Sequence, residues 1–370
     1  MFTRAWCALL LLWLAAPAQN DPLAALRVTL ETLRRHRNDN PDTRGATADL
    51  TVAKHQLRDW VERRLAGFGA TGDEDAINRE FQDALADLRC PDGCVTTAVG
   101  FVDPVRLRRE GEFLAVQTSV GIRCGYDDSA YVYEWVGKRW NRIFETEQNV
   151  YTKTAYHPQT IYAVQISPPD ASGNRLALTL GSRPGCSGAF QPLYYRLWRI
   201  ASGSKPKLVL DAVETAYMGD YPPVKGTVSG NDARLEFTAG GAGYGSGHQA
   251  VRHFEVRGNT VKQVDPIAPT PRDFVEEWLA ASWKQSAKQS AKQVATPSES
   301  ASLESWHQKL HRDDGMGDFP DPPLQCSSDP ELWQIGIRLH GIPAETFYLV
   351  RWRQPDRFTM SAIAEHPLCQ

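Results

Sequence analysis

The chain has 370 residues, of which 42% are hydrophobic and 23% charged, with a formal net charge of −3. That balance gives no argument for nucleic acid as a partner, and no basic run is interleaved with aromatic residues. Its length suits one large or two moderate domains.

Residues 1–18 read as a secretory signal. Arg4 supplies the positive start, Ala8 to Leu14 an apolar segment too short to span a bilayer, and Ala16-Pro17-Ala18 the small-residue cleavage site. No later segment is apolar enough to span. A periplasmic or extracellular destination is therefore expected. Six cysteines follow the signal: Cys90, Cys94, Cys124, Cys186, Cys326 and Cys369. An even number in an exported chain favours disulfides, although six cysteines allow about 15 pairings. The rival reading is a metal site, but Cys90-x-x-x-Cys94 lacks the second close pair of a zinc knuckle. No Asn-x-Ser/Thr sequon occurs.

Residues 19–94 form an N-terminal helical segment. Asp21-Pro22 precedes Leu23, Leu26, Leu30 and Leu33 at helical spacing. Arg35 to Arg44 reads as a loop, and Leu57, Trp60, Val61 and Leu65 form a second stripe. Thr71-x-x-Glu74 reads as a capping box before Ile77, Phe81, Leu85 and Leu88. Three helices with one apolar face each must bury it, on one another or on the β structure that follows.

Residues 95–269 carry three β repeats. Phe113 to Thr118, Arg175 to Leu180 and Arg234 to Ala239 align, with first residues 62 (175 − 113) and 59 (234 − 175) apart. Each run is preceded by a turn signal, at Gly111, Gly173 and Gly230, and before that by a short extended run. Each is followed by a glycine-containing loop and an aromatic strand: Tyr131 to Trp135, Tyr194 to Trp198 and Arg252 to Val256. A fourth run closes each unit. The pattern predicts four-stranded antiparallel meanders and resembles β-propeller blades in kind, which implies architecture and not activity. The polar Arg234 and Glu236, opposite Leu235 and Phe237, give the third unit a wet face.

Residues 270–325 read as helices and a polar linker. Thr270-Pro271-Arg272-Asp273 starts a helix, residues 287–301 have no apolar stripe and read as a solvated linker or frayed helix end, and Leu303 to His311 is a short helix. Residues 326–370 return to β, and Tyr348 to Trp352 matches Tyr194 to Trp198, so a fourth unit lacking its first strand is expected. The fold class is mainly β with helices (α+β), built of repeated antiparallel units that are propeller-like or a β-sandwich.

The chemistry motifs are negative. The glycine run Gly240 to Gly247 gives neither GxGxxG nor GK[ST], and it sits between strands. Ser187 and Ser246 miss the GxSxG pattern. His307 and His311 are one helical turn apart, and Asp313, Asp314 or His340 could complete a ligand set. Gln308 stands where a zinc peptidase needs its Glu, and a polar helix face is the simpler reading. No metal or cofactor is expected.

Two functions follow. One is a non-catalytic exported protein that binds protein or glycan, or serves a structural role. The other is a hydrolase using Asp127 or Asp128 with His248 or Tyr244 as acid and base. The candidate binding site gathers the second-to-third-strand connections, Gly121 to Ala130, Gly181 to Gln191 and Gly240 to Gln249, at one end of the β structure. It comprises Arg123, Tyr126, Asp127, Asp128, Arg183, Tyr244 and His248. Tyrosines in the connections, including Tyr151, Tyr156, Tyr217 and Tyr221, offer a flat apolar face with a hydroxyl. The expected disulfides are Cys124–Cys186, from equivalent places in adjacent units, then Cys326–Cys369 and Cys90–Cys94.

Overall fold

The computed structural model describes residues 22–36, 44–91, 99–123, 125–148, 151, 159–183, 189–201, 204–219, 223–243, 246–264, 268–289, 297–310, 317–339, 344–353 and 357–369. The signal segment, Cys94, Cys124, Cys186, Tyr156, Tyr221, Tyr244, Ser187, His311, Asp313, Asp314 and His340 lie outside them. The chain divides into two compact units, Met1–Ile161 with Arg183–Cys186, and Tyr162–Ser182 with Ser187–Gln370.

The first unit holds α1 (Pro22–Arg35), α2 (Arg44–Leu65), α3 (Glu74–Ala84) and an antiparallel meander. Its strands are β1 (Arg106–Glu110), β2 (Phe113–Ile122), β3 (Gly125–Val136) and β4 (Arg139–Thr146), hydrogen-bonded in that order. The predicted helical stripes bury together with one face of the sheet: Leu26, Leu30, Leu57, Trp60 and Phe81 share a core with Leu114, Val116, Tyr131 and Tyr133. Each such side chain contributes about 1.5–3 kcal/mol on burial, so packing and not helix propensity holds these short helices. The cap of α3 differs from the expectation. Asp73, not Thr71, is the N-cap, accepting from the Asp75 N–H. Glu74, expected to close the capping box, instead accepts from the Arg109 N–H of β1 at 2.8 Å.

The second unit begins within β5 (Thr160–Ile166) and continues through β6 (Arg175–Ser182), β7 (Phe190–Ile200) and β8 (Lys207–Tyr217). A third meander follows: β9 (Val224–Ser229), β10 (Asp232–Gly243), β11 (Ser246–Arg257) and β12 (Thr260–Gln263). β8 joins β10 through the pair Ala216–Ala239, so these strands form one eight-stranded sheet. It folds around a single core that includes Leu178, Leu197, Leu235 and Phe254. That is a sandwich-like arrangement and not a closed barrel.

The turns follow the sequence. Gly111, Gly173 and Gly230 hold φ of +62°, +78° and +56°, and Gly137-Lys138 holds +60° and +66°. Positive φ at both central residues is the hairpin turn whose twist matches the strands. A further bond recurs: Trp135, Val256 and Trp352 each donate N–H to the carbonyl just before the second strand, at Glu112, Asn231 and Glu331.

The C-terminal sheet shares that last bond. It contains β13 (Gly317–Asp318), β14 (Leu324–Gln325), β15 (Leu332–Leu339), β16 (Thr346–Arg353) and β17 (Arg357–Ala364). Its first strand is not missing, as expected, but broken: β13 and β14 both pair with β15. The pairing is interrupted where Pro320, Pro322 and Pro323 remove three backbone donors. α4 (Pro271–Ala280) begins at its predicted Thr270 cap. α5 (Trp283–Gln289) takes in residues 287–289, as the helix-end reading allowed, and α6 (Pro297–Leu310) starts before the expected Leu303. Phe274, Trp278 and Leu303 pack there against Ile335, Tyr348 and Met360.

Candidate functional site

Asp127 and Asp128, which the sequence places in a loop, lie inside β3, because the β2–β3 hairpin runs on to Ile122–Gly125. Adjacent residues of a strand face opposite sides, so the two carboxylates serve different places. Asp127 turns toward the helices. It pairs with Lys54 of α2 at 3.1 Å, with side-chain exposures of 0% and 1%, and also accepts from the Tyr151 hydroxyl and from the Gln159 N–H. Lys54 completes its shell with the Gln148 carbonyl at 2.8 Å. The sequence does carry a sign of Lys54. It stands among Leu50, Ala53, Leu57 and Val61, a cation on an otherwise apolar stripe. Nearby, Glu147 takes Arg58 at 3.0 Å, His55 at 3.0 Å and the Tyr131 hydroxyl.

Asp128 faces the other side. Its Oδ2 accepts the Ile161 N–H at 2.6 Å, while Gln117 Nε2 donates to the Ile161 carbonyl at 2.6 Å. The two side chains grip one peptide group pair as a neighbouring strand would, and Asp128 N donates to the Gln159 carbonyl alongside. Burial, opposed by the Ile161 N–H and Ser119 and reinforced by Asp127, pushes the Asp128 carboxyl up to about 7. Tyr126, half-buried on the same face, is raised by burial and by Asp103 and Asp128. Arg123, in the hairpin turn, and Arg183, after β6, are exposed.

His248 lies in the second unit on β11 and is 3% exposed. Its Nε2 meets Glu277 of α4 at 2.8 Å, and its Nδ1 lies 3.7 Å from Glu276. Glu277 also binds Arg252, which binds Glu214 at 2.8 Å, and Glu214 accepts from the Tyr195 hydroxyl at 2.6 Å. Burial raises Glu276 against the pull of His248 and Arg272. In Glu277 the His248 and Arg252 contacts outweigh burial and lower it. Asp273 accepts from the Gln249 N–H at 2.9 Å. The cluster therefore ties α4 to β11 and crosses the sandwich interior. Asp127 and Asp128 find their partners within the first unit, and His248 within the second.

The glycine run has a packing explanation. Gly240 and Gly247 face each other across β10 and β11. A Cβ on Gly247 would meet Thr238 Cγ2 at 2.4 Å and the Ala239 carbonyl at 3.0 Å, and the Phe190 ring lies within 3.7 Å of both positions. The ring, at the start of β7, also packs on Tyr217 at 5.4 Å between centroids. The ends of β6–β7 and β10–β11 thus come side by side.

The structure contains the expected Cys326–Cys369 disulfide. Cys90 is disulfide-bonded, its expected partner Cys94 lying outside the described residues, as does the pair Cys124–Cys186. His307 is 1% exposed, with Nε2 close to Ser286 and to the carbonyls of Trp278 and Ala281. Among the described residues, no group of three or more His, Cys, Asp or Glu could hold a metal, and no helix is long and apolar enough to cross a membrane.

No protein-family model and no curated protein matches the chain. Among solved structures it is similar to a protein of the BT0996 RGII complex, at 8% identity over 79% of this chain and 96% of that one, with a TM-score of 0.25. Proteins with so low a score need not share a fold.

Proposed function

We propose that this is an exported, non-catalytic protein that binds a partner, or serves a structural role, through its β scaffold. The observation that carries the reading is the burial of the acid–base candidates. Asp127, Asp128 and His248 are 0%, 3% and 3% exposed, and each already holds partners within its own unit. A general acid or base must reach substrate. Here each carboxylate or imidazole instead ties one backbone element to another. Export accords with the Cys326–Cys369 bond, since disulfides persist in oxidising compartments.

The hydrolase reading remains the competitor. A panel of fluorogenic glycosides, esters and peptides should give no turnover above a heat-denatured control. Turnover abolished by Asp128→Asn or His248→Gln, in a variant that still melts cooperatively, would refute the non-catalytic reading. Glycan and peptide arrays on the full chain should return at least one reproducible ligand.

A further inference from the structure

One patch on an outer face of the second unit holds uncharged, partly exposed side chains among the described residues. In β7, Leu193, Tyr195 and Leu197 enter the core, and in β10, Leu235, Phe237 and Ala239 do so. By alternation, Phe190 and Pro192, Val213, Thr215 and Tyr217, and Thr238 and Gln249 look outward. The Ala216–Ala239 pair makes this one continuous platform across β7, β8, β10 and β11. Pro192, Thr215 and Gln249 are exposed, Val213 is 57% exposed, and the Phe190 and Tyr217 rings are partly buried.

The platform ends at charges that neutralise themselves. Arg196 Nε meets Asp211 at 2.8 Å further along β7–β8, and Arg234 Nε meets Glu236 at 3.0 Å further along β10. Between these pairs the outward side chains are aromatic, aliphatic, hydroxyl or amide, with no formal charge. The Gly240–Gly247 pair leaves room for the Phe190 ring, which lies within 3.7 Å of where either Cβ would stand. At the rim of the platform, Gln249 Nε2 donates to Thr238 at 2.8 Å, leaving its amide oxygen and second N–H for another partner.

We propose that this face binds a neutral glycan chain. The inference rests on the binding reading above and names its ligand class and place. Sugar rings present C–H faces that pack on aromatic rings, and hydroxyls that pair with amide and hydroxyl groups in either direction. A charged peptide or an acidic polysaccharide would desolvate its charges here against no counter-charge.

The test is native affinity electrophoresis of the full chain through gels holding galactomannan, xylan or β-glucan, with polygalacturonate as the acidic control. At least one neutral polymer should retard the protein and the acidic one should not. Gln249→Ala and Thr215→Arg should each raise the apparent Kd at least tenfold, with Tm within two degrees of the parent. No retardation by any neutral polymer overturns the proposal. So does retardation that both variants retain, in which case glycan binding stands and this face is the wrong place. If instead peptide-array ligands bind parent and Thr215→Arg alike, the binding reading survives and the glycan face falls. Catalytic turnover in the substrate panel removes the reading beneath both.

Discussion

The second strand of the first meander and the fourth strand of the second lie in different surroundings. Every residue of β2, on both faces, is buried, whereas β8 alternates between exposed and half-buried for most of its length. Burial on both faces leaves polar side chains no water, so each must find a partner in the protein. That is why Asp127 pairs with Lys54 while Asp128 and Gln117 grip Ile161. On β8 the outward residues carry no such obligation and can meet a ligand. Place within the unit goes with the difference: β6, the counterpart of β2, is also mostly buried, and β4, the counterpart of β8, is also largely open; what covers the strand decides its role.

The sharpest way to break this contrast is at Lys54. Lys54→Met leaves the Asp127 carboxylate buried without its cation, and should cost about 3–5 kcal/mol in urea unfolding. The double variant Lys54→Met with Asp127→Leu should regain much of that, because two apolar groups need no partner. A loss below about 0.5 kcal/mol, the range of an ordinary surface change, would show that the pair is as dispensable as one on β8.

The next effect is at the C-terminal sheet. Replacing Cys326 and Cys369 together by serine should lower stability by about 2–4 kcal/mol, because the bond closes a loop of 43 residues in the unfolded chain. Equal urea midpoints for parent and variant would remove the disulfide from the stabilising contacts.

A third measurement sharpens the meaning of burial. Asp128 is raised from an ordinary 3.8 to about 7 in the folded state. Between those values the folded chain keeps a proton that the unfolded chain has lost, so the contribution to stability is present at the lower pH and is lost as pH rises toward 7. Asp128→Asn should flatten that slope. An unchanged slope would mean that other groups set it.

The smallest effect is expected on the outer face of β8. Val213→Lys should change stability by less than about 0.5 kcal/mol, as at a surface site. A loss above about 2 kcal/mol would mean that something covers β8.

Much of this fold was legible from local signals. The strand alternation and the positive-φ glycines located the twelve strands of three meanders but ended several short: β3 begins six residues before Tyr131 and β8 runs seven past Leu210. The Thr270 cap and the α1 and α2 stripes needed nothing beyond helical spacing. The misses were tertiary. Thr71 looked like a cap by spacing, but Glu74 was claimed by the backbone of β1. The hairpin lengths were underestimated because Gly121, Gly125, Gly240 and Gly243 read as loop, yet all lie within strands. The opposite facing of Asp127 and Asp128 was readable once they were placed on a strand. The partner of Asp127, Lys54 at 73 residues away, and that of His248, Glu277 at 29 away, were not, because nothing local to a strand names what packs on it.

The Lys54–Asp127 link also bears on the order of assembly. Its partners are separated by 73 residues, and closing a segment of that length carries an entropy cost that only a formed docking surface offsets. The hairpin of β2 and β3 must exist before α2 has anything to receive Lys54. If the ion pair forms on the late, downhill side of the folding barrier, Lys54→Met should accelerate unfolding while leaving the refolding rate of the chain nearly unchanged in stopped-flow mixing. A refolding rate that falls in step with stability would instead put the helix in the nucleus. With the pair formed late, it acts as a lock on how long the folded chain lasts and not as a guide to how it is reached.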